Sequence, residues 1–107
     1  MDALRFYGVR DIRFEEAPEP IIETDSEVKI KVKAVGICGS DIHRYALLGP
    51  YVHGTVWGHE FSGEVVAVGK NVTKVKVGQK VTACPALYCG KCDSCKKLNL
   101  HNVKIWV

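Results

Sequence analysis

The clearest alternation of apolar and polar residues lies at 27–36. Valine, isoleucine and alanine occupy every second position, and lysines lie between them, which is the period of a strand with one buried and one wetted face. The segment before it, at 17–20, contains two prolines and predicts a connector, because proline cannot donate to a continuous ladder. The segment GSDIHRYALL at 39–48 is the best helix candidate, and Gly49 and Pro50 end it.

Valine-rich segments bracketed by glycines follow the predicted helix. They predict strands at 61–69 and 72–77, and a turn then leads into a third strand at 81–83. From 84 to 102 the periodicity disappears into a polar, cysteine-rich lobe, which a bound metal could order in place of a core. The pattern therefore predicts a mainly β fold with one short helix and one metal-binding lobe.

Composition narrows the classes of function. The chain has 107 residues, 47% of them hydrophobic and 25% charged, as expected for one globular domain or part of one. A net charge of +3, dispersed along predicted strands, does not indicate nucleic acid or a membrane surface. No apolar run reaches the roughly 18 residues of a membrane span, and the start lacks the apolar core of a secretory signal. Five cysteines, an odd number, favour a reducing compartment, and we expect a cytoplasmic protein.

Three evenly spaced cysteines, Cys89, Cys92 and Cys95, form the strongest local motif. Two-residue gaps allow successive thiolates to converge on one tetrahedral ion, which favours structural zinc. An iron–sulfur cluster is a minor alternative, because closely spaced cysteines also ligate clusters, and unrelated surface cysteines are another. Cys84 stands outside this spacing and is better interpreted as a small buried thiol.

A second set of chemically active residues combines CGSDIH at 38–43 with GHE at 58–60. Cys38 follows a predicted strand and opens the predicted helix, where the helix N-terminus stabilises a thiolate. His59 and Glu60 add an imidazole and a carboxylate. Taken singly, a buried thiol and a hydrogen-bonded histidine explain these residues equally well. Taken together, a mixed set of ligands with one open position is typical of catalytic zinc.

The sequence resembles the N-terminal, GroES-like catalytic domain of the zinc-dependent medium-chain alcohol and polyol dehydrogenases, over residues 1–102. The matching motifs are V-x-A-x-G-I-C-G-S-D-x-H (32–43), G-H-E-F-S-G-E-V-V-A-V-G (58–69), V-G-Q-K-V (77–81) and C-G-K-C-x-x-C (89–95). Their forms are most similar to the branch of sorbitol, threonine and galactitol-phosphate dehydrogenases. The resemblance implies a GroES-like partial β-barrel with one short helix and a Cys-rich zinc lobe.

The resemblance also implies a ligand set. Cys38 and His59 would bind the catalytic zinc. Glu60 would be a direct ligand in the polyol branch, or a catalytic carboxylate beside the ion in the alcohol dehydrogenase branch. Asp41 would orient a ligating imidazole from behind, as carboxylates commonly do at metal sites.

The resemblance further implies NAD(P)-dependent oxidation of a small alcohol or polyol. Ser40 would accept the proton of the substrate hydroxyl, and His43 would pass it towards solvent. Zinc acts on the hydroxyl as a Lewis acid, and a nicotinamide takes the hydride.

Two features depart from the family pattern. A fourth cysteine completes the structural zinc site in the family, whereas His101 stands in its place here, in a shorter loop. We hypothesise that His101 completes a Cys₃His site, because imidazole and thiolate both suit zinc. The second departure is that the chain ends at Val107 without any G-x-G-x-x-G, so a Rossmann domain is absent from it. We therefore expect 1–107 to be a truncated catalytic domain that is inactive alone.

Two other classes of protein compete with this interpretation. The first is a non-catalytic, zinc-stabilised GroES-like domain that binds a partner or itself, and the absence of a nucleotide-binding domain favours it for this chain. The open metal site opposes it, because a binding module does not need one. A nucleic-acid-binding zinc ribbon is weaker, since it requires two CxxC pairs and a basic face. A partly built barrel exposes strand edges, so we expect self-association or a homo-oligomer.

Overall fold

The computed structural model describes residues 1–83 and Pro85. The chain divides into two compact units. The first comprises Met1–Pro20 and Val35–His59, and the second comprises Ile21–Ala34 and the chain from Glu60 onward. Each is described separately below.

A three-stranded sheet forms the framework of the first unit. Strands β1 (Asp2–Gly8) and β2 (Asp11–Glu16) form an antiparallel hairpin, and the two-residue strand β4 (Thr55–Val56) pairs antiparallel with the other side of β1. Phe6 is fully buried and packs edge-on against Trp57, with ring centroids 4.3 Å apart. Neither the hairpin nor β4 was predicted from the sequence pattern. Arg10 in the hairpin turn has a φ of 59°. Arginine seldom adopts a positive φ, so its residue type gives no indication of a turn at this position.

The helix predicted at 39–48 is confirmed in two parts. Helix α1 spans Gly39–His43 and continues as a π-helical turn over Arg44–Leu48. Gly49, at a φ of 76°, ends the segment, because a residue without Cβ adopts this conformation most easily.

The second unit contains most of β3 (Val28–Gly36) together with β5 (Glu60–Val68) and β6 (Lys80–Thr82). The order in the sheet is β3-β5-β6, with β5 and β6 antiparallel. Val65 in the central strand is fully buried. The strands predicted at 27–36, 61–69 and 81–83 are thus confirmed to within about two residues, the usual uncertainty of strand ends.

The prediction of a strand at 72–77 is wrong, because the structure has no strand there. Most of the segment has no regular structure, and it leads into a turn at 76–79. There the Gln79 side chain accepts a hydrogen bond from the Lys76 backbone N–H at 2.8 Å, and the Gln79 N–H donates to the Lys76 carbonyl at 3.2 Å. Alternating valine and lysine favours an extended chain, but a strand also needs a neighbour with which to form a ladder. No described strand supplies one here.

The prediction that the apolar face of β3 is buried is also only partly correct. Val32, on the apolar side of the alternation, is 47% exposed. Periodicity determines which side chains share a face, whereas burial requires another element to cover that face.

The predicted fold class is otherwise confirmed: the described residues are mainly strands with one short helix. The Cys-rich zinc lobe predicted at 84–102 lies outside the described residues, apart from Pro85. Among the residues described, no helix is long and apolar enough to span a bilayer.

Candidate metal centre

Cys38 occupies the junction between β3 and α1. Its backbone is extended (φ −83°, ψ 156°), and it is the N-cap residue of the helix. The Asp41 carboxylate accepts a hydrogen bond from the Cys38 backbone N–H, Oδ2 to N 2.9 Å, and the Asp41 N–H donates to the Cys38 carbonyl at 3.0 Å. This local exchange resembles a capping box and is a property of the C-x-x-D spacing. It holds the Cys38 backbone in one conformation beside the helix.

His59 reaches the same place from a different part of the chain. The segment 54–59 leads to it, and the Trp57 N–H within that segment donates to the Leu4 carbonyl at 2.8 Å. Gly58 has a φ of 112°, and a Cβ there would lie 2.8 Å from Cγ1 of Val35. The chain can therefore turn towards Cys38 immediately before His59 only because position 58 is glycine.

Asp41 connects these two residues. It is only 5% exposed, and its Oδ1 lies 3.2 Å from Nδ1 of His59 while Oδ2 accepts from Cys38. In a neutral imidazole, donation from Nδ1 to a carboxylate leaves the lone pair on Nε2. Carboxylate–histidine pairs of this kind commonly orient imidazole ligands at metal sites.

Cys38, His59 and Glu60 together present a thiol, an imidazole and a carboxylate whose ligand atoms all lie within 4.8 Å of one another. Glu60 directly follows His59 in the chain and is partly exposed. Ligands of a tetrahedral zinc ion lie about 3.5 Å apart, as Zn–N and Zn–S distances near 2.0–2.3 Å require. The donor types suit Zn²⁺, and ligand atoms within 4.8 Å of one another need to move together by little more than about 1 Å to reach that spacing. Three such ligands would leave one position of a tetrahedral ion open.

The other predicted site residues have different outcomes. Ser40 and His43 both lie on α1 and are exposed, within the same short helix that begins beside Cys38. Their predicted roles in proton transfer remain predictions. The predicted structural zinc ligands lie outside the described residues: Cys89, Cys92, Cys95 and His101.

Sequence reasoning missed a polar cluster on the hairpin of the first unit. Nε of Arg5 donates to the Gly54 carbonyl at 2.6 Å, and Tyr7 donates its hydroxyl proton to Glu15. That hydrogen bond raises the pKa of Tyr7 above its usual value. Arg5 and Gly54 are far apart in the chain, so no spacing rule signals the contact; only the pairing of β1 with β4 brings them together.

A scan against protein-family models matches residues 24–106 to the alcohol dehydrogenase GroES-like domain. The chain belongs to this family. The resemblance to the N-terminal domain of zinc-dependent medium-chain dehydrogenases is thereby confirmed.

Individual relatives agree with the assignment. The chain is 46% identical over 101 residues to sorbitol dehydrogenase of Bacillus subtilis, and this alignment covers 91% of the chain and 28% of the relative. It is 56% identical over 78 residues to D-arabitol-phosphate dehydrogenase of Enterococcus avium, covering 69% of the chain and 22% of the relative. The crystal structure of galactitol-1-phosphate dehydrogenase from Escherichia coli superposes with a TM-score of 0.79 at 32% identity, over 97% of this chain and 30% of that one. The chain thus spans less than a third of the length of each of these proteins.

Proposed function

We propose that this chain is the zinc-binding part of an NAD(P)-dependent dehydrogenase that oxidises an alcohol or polyol. The observation that carries the proposal is the convergence of Cys38, His59 and Glu60, with buried Asp41 behind the imidazole. A structural zinc site is usually closed by four protein ligands, whereas three ligands and an open position are typical of catalytic zinc.

Each residue of the site has a definite task in this proposal. Cys38, His59 and Glu60 hold the ion, with Glu60 either as a ligand or as a catalytic carboxylate beside it. When bound, Zn²⁺ supplies Lewis-acid chemistry that makes a nearby hydroxyl easier to deprotonate. Ser40 accepts the hydroxyl proton and His43 transfers it towards solvent. A bound nicotinamide would supply the acceptor for the hydride that carries away the two electrons of the oxidation.

The named relatives support the substrate and cofactor classes. Sorbitol, D-arabitol-phosphate and galactitol-1-phosphate dehydrogenases are named for sugar alcohols or their phosphates. Two related structures, a zinc-binding dehydrogenase from Sinorhizobium meliloti and an alcohol dehydrogenase from Escherichia coli, contain NADP and NADH, respectively. We propose that the parent reaction is of the same class, and that this chain is inactive by itself because no dinucleotide-binding motif occurs in it.

Three further parts of the proposal rest on the sequence. Cys89, Cys92, Cys95 and His101 bind a second, structural zinc. The protein works in the cytoplasm without nucleic-acid or membrane partners. It self-associates, through strand edges left exposed, as a homo-oligomer.

Elemental analysis of the purified chain tests the two metal sites together. We expect two zinc ions per chain, one lost in Cys38→Ser and the other in His101→Ala. Cys84→Ser and His53→Asn are controls, which change the same residue types at positions that are not proposed as ligands and should retain both ions. A single zinc that survives Cys38→Ser would refute the catalytic site. That result would instead favour a non-catalytic, zinc-stabilised domain.

A further inference from the structure

The segment that ends in His59 is attached to β1 by its backbone. The Gly54 N–H donates to the Phe6 carbonyl at 2.8 Å, the Trp57 N–H donates to the Leu4 carbonyl at 2.8 Å, and Val56 pairs with Arg5 across β4 and β1. His59 therefore depends on how firmly this segment is held against β1.

Arg5 adds a side-chain contact at the beginning of the segment. Its guanidinium Nε donates to the Gly54 carbonyl at 2.6 Å, and a charged donor makes this a stronger bond than those between backbone groups. A Cβ on Gly54 would lie 3.0 Å from both Nη2 of Arg5 and Cε1 of Tyr7, and Gly54 has a φ of 73°. Glycine at this position lets the guanidinium approach the chain closely.

The hairpin holds the Arg5 side chain in place. Nη1 of Arg5 lies 3.5 Å from Oε1 of Glu15, and Cζ of Arg5 lies 5.5 Å from the centre of the Tyr7 ring. Tyr7 in turn donates to Glu15. The Arg5 side chain is only 32% exposed. A guanidinium restrained from several sides loses little further freedom when it binds a carbonyl.

We propose that Arg5 is a positioning residue for His59: it fixes the start of segment 54–59 and thereby the placement of the imidazole at the metal centre. This role rests on the proposed function, because it presupposes that His59 binds a metal ion. Metal ligands must be held to within about 0.5 Å of their productive positions, so a loosened segment would weaken the site without removing a ligand.

Arg5→Lys tests the role, and Arg13→Lys is its matched control. Arg13 is the cross-strand partner of Arg5, and its guanidinium lies 4.4 Å from the centre of the same Tyr7 ring. Its described hydrogen bonds, however, join it to Asp11 in its own strand. Both changes keep the charge and remove a guanidinium, but only Arg5→Lys removes the bond to Gly54.

The first measurement is titration with Co²⁺, following thiolate-to-cobalt absorption as the difference from a Cys38→Ser chain. We expect Arg5→Lys to weaken this binding about tenfold and Arg13→Lys less than twofold, as the loss of one charged hydrogen bond implies. The second, made without metal, is hydrogen exchange of the Trp57 amide. It should be about tenfold faster in Arg5→Lys, whereas the Val65 amide of the other unit should not change.

The outcomes separate this role from the proposed function. A Cys38-dependent band that Arg5→Lys and Arg13→Lys leave equally strong, with equal Trp57 exchange, would overturn the role of Arg5 alone. Absence of the band in the unmodified chain would overturn the metal site and this role with it. If Arg5→Lys does not fold, Glu15→Gln removes the ion pair while leaving Arg5, and it should shift both measurements in the same direction. No shift in either would also overturn the role.

Discussion

At the scale of single residues, Asp41 performs two tasks with one carboxylate. One oxygen fixes the Cys38 backbone, and the other fixes the imidazole of His59. A buried carboxylate is stable only where such partners exist. Asp41 therefore connects the backbone of Cys38 to the imidazole of His59, which the chain supplies from different segments.

Asp41→Asn should weaken metal binding at this centre by about 10- to 100-fold, the usual effect of losing a carboxylate behind a ligating histidine. The amide retains the shape, but its NH₂ group favours the imidazole tautomer in which Nε2 carries the proton. Competition titrations with Zn²⁺ and a chelator measure the change. Asp25→Asn, at an exposed carboxylate, is the control. Equal affinities for the two variants would argue against the orienting role.

At the scale of elements, β3 and β5 approach each other closely at Gly63. This residue is buried, and a Cβ there would lie 2.3 Å from the Lys31 carbonyl oxygen and 2.8 Å from Cγ2 of Ile30. Both obstacles belong to β3, and one of them is backbone that cannot rotate away. Gly63, the last residue of G-H-E-F-S-G, is therefore required by the packing of β3 against β5, independently of the metal centre.

Gly63→Ala should lower the free energy of unfolding by about 1–3 kcal/mol, the usual effect of overpacking a core. Gly8→Ala is the matched control, because nothing lies within 4 Å of a Cβ built there. Urea denaturation of both variants measures the difference. Similar midpoints for the two would show that β3 moves aside without cost.

Glu27 stabilises the segment directly before β3, at 23–27, in a pH-dependent way. Its carboxylate accepts hydrogen bonds from the backbone N–H groups of Glu23 and Thr24, at 2.7 and 3.1 Å, and these bonds lower its pKa below the usual 4.5. A lowered pKa in the folded state means that the stabilisation is complete above about pH 4.5 and is lost as the pH falls through the lower value.

Glu27→Gln should therefore flatten the decline of stability with falling pH below about 4.5. Urea denaturation across this range measures the slope, and Glu64→Gln, at an exposed glutamate in β5, controls for the loss of one charge. Parallel curves for Glu27→Gln and the unmodified chain would contradict the prediction.

At the scale of the whole chain, several large apolar side chains face water. Ile37 is 80% exposed and Tyr51 is 83% exposed, and β3 is an edge strand among the strands described. Exposed edges and apolar side chains favour association with another chain. A second copy of this chain is the partner that we expect in a purified sample.

Sedimentation at increasing concentration should therefore show association of the unmodified chain. Val32→Lys, which adds a charge on edge strand β3, should weaken it, whereas Val66→Lys on central strand β5 is the control. A monomer at millimolar concentration would exclude self-association, and equal effects of both variants would exclude the β3 edge as its route.

Sequence and tertiary structure determined different parts of this protein. Alternation predicted β3, a valine-rich run bracketed by glycines predicted β5, and Gly49 with Pro50 predicted the end of the helix. The C-x-x-D spacing encodes the hydrogen bond that the Cys38 N–H donates to Asp41. All of these are local relations along the chain. The local pattern predicted a strand at 72–77 and a buried apolar face on β3, and neither prediction is fully met. A strand requires a neighbouring strand to pair with, and an apolar face is buried only where another element packs against it. Only the fold brought His59 to Asp41 and Arg5 to Gly54, because those contacts join residues that no periodicity relates.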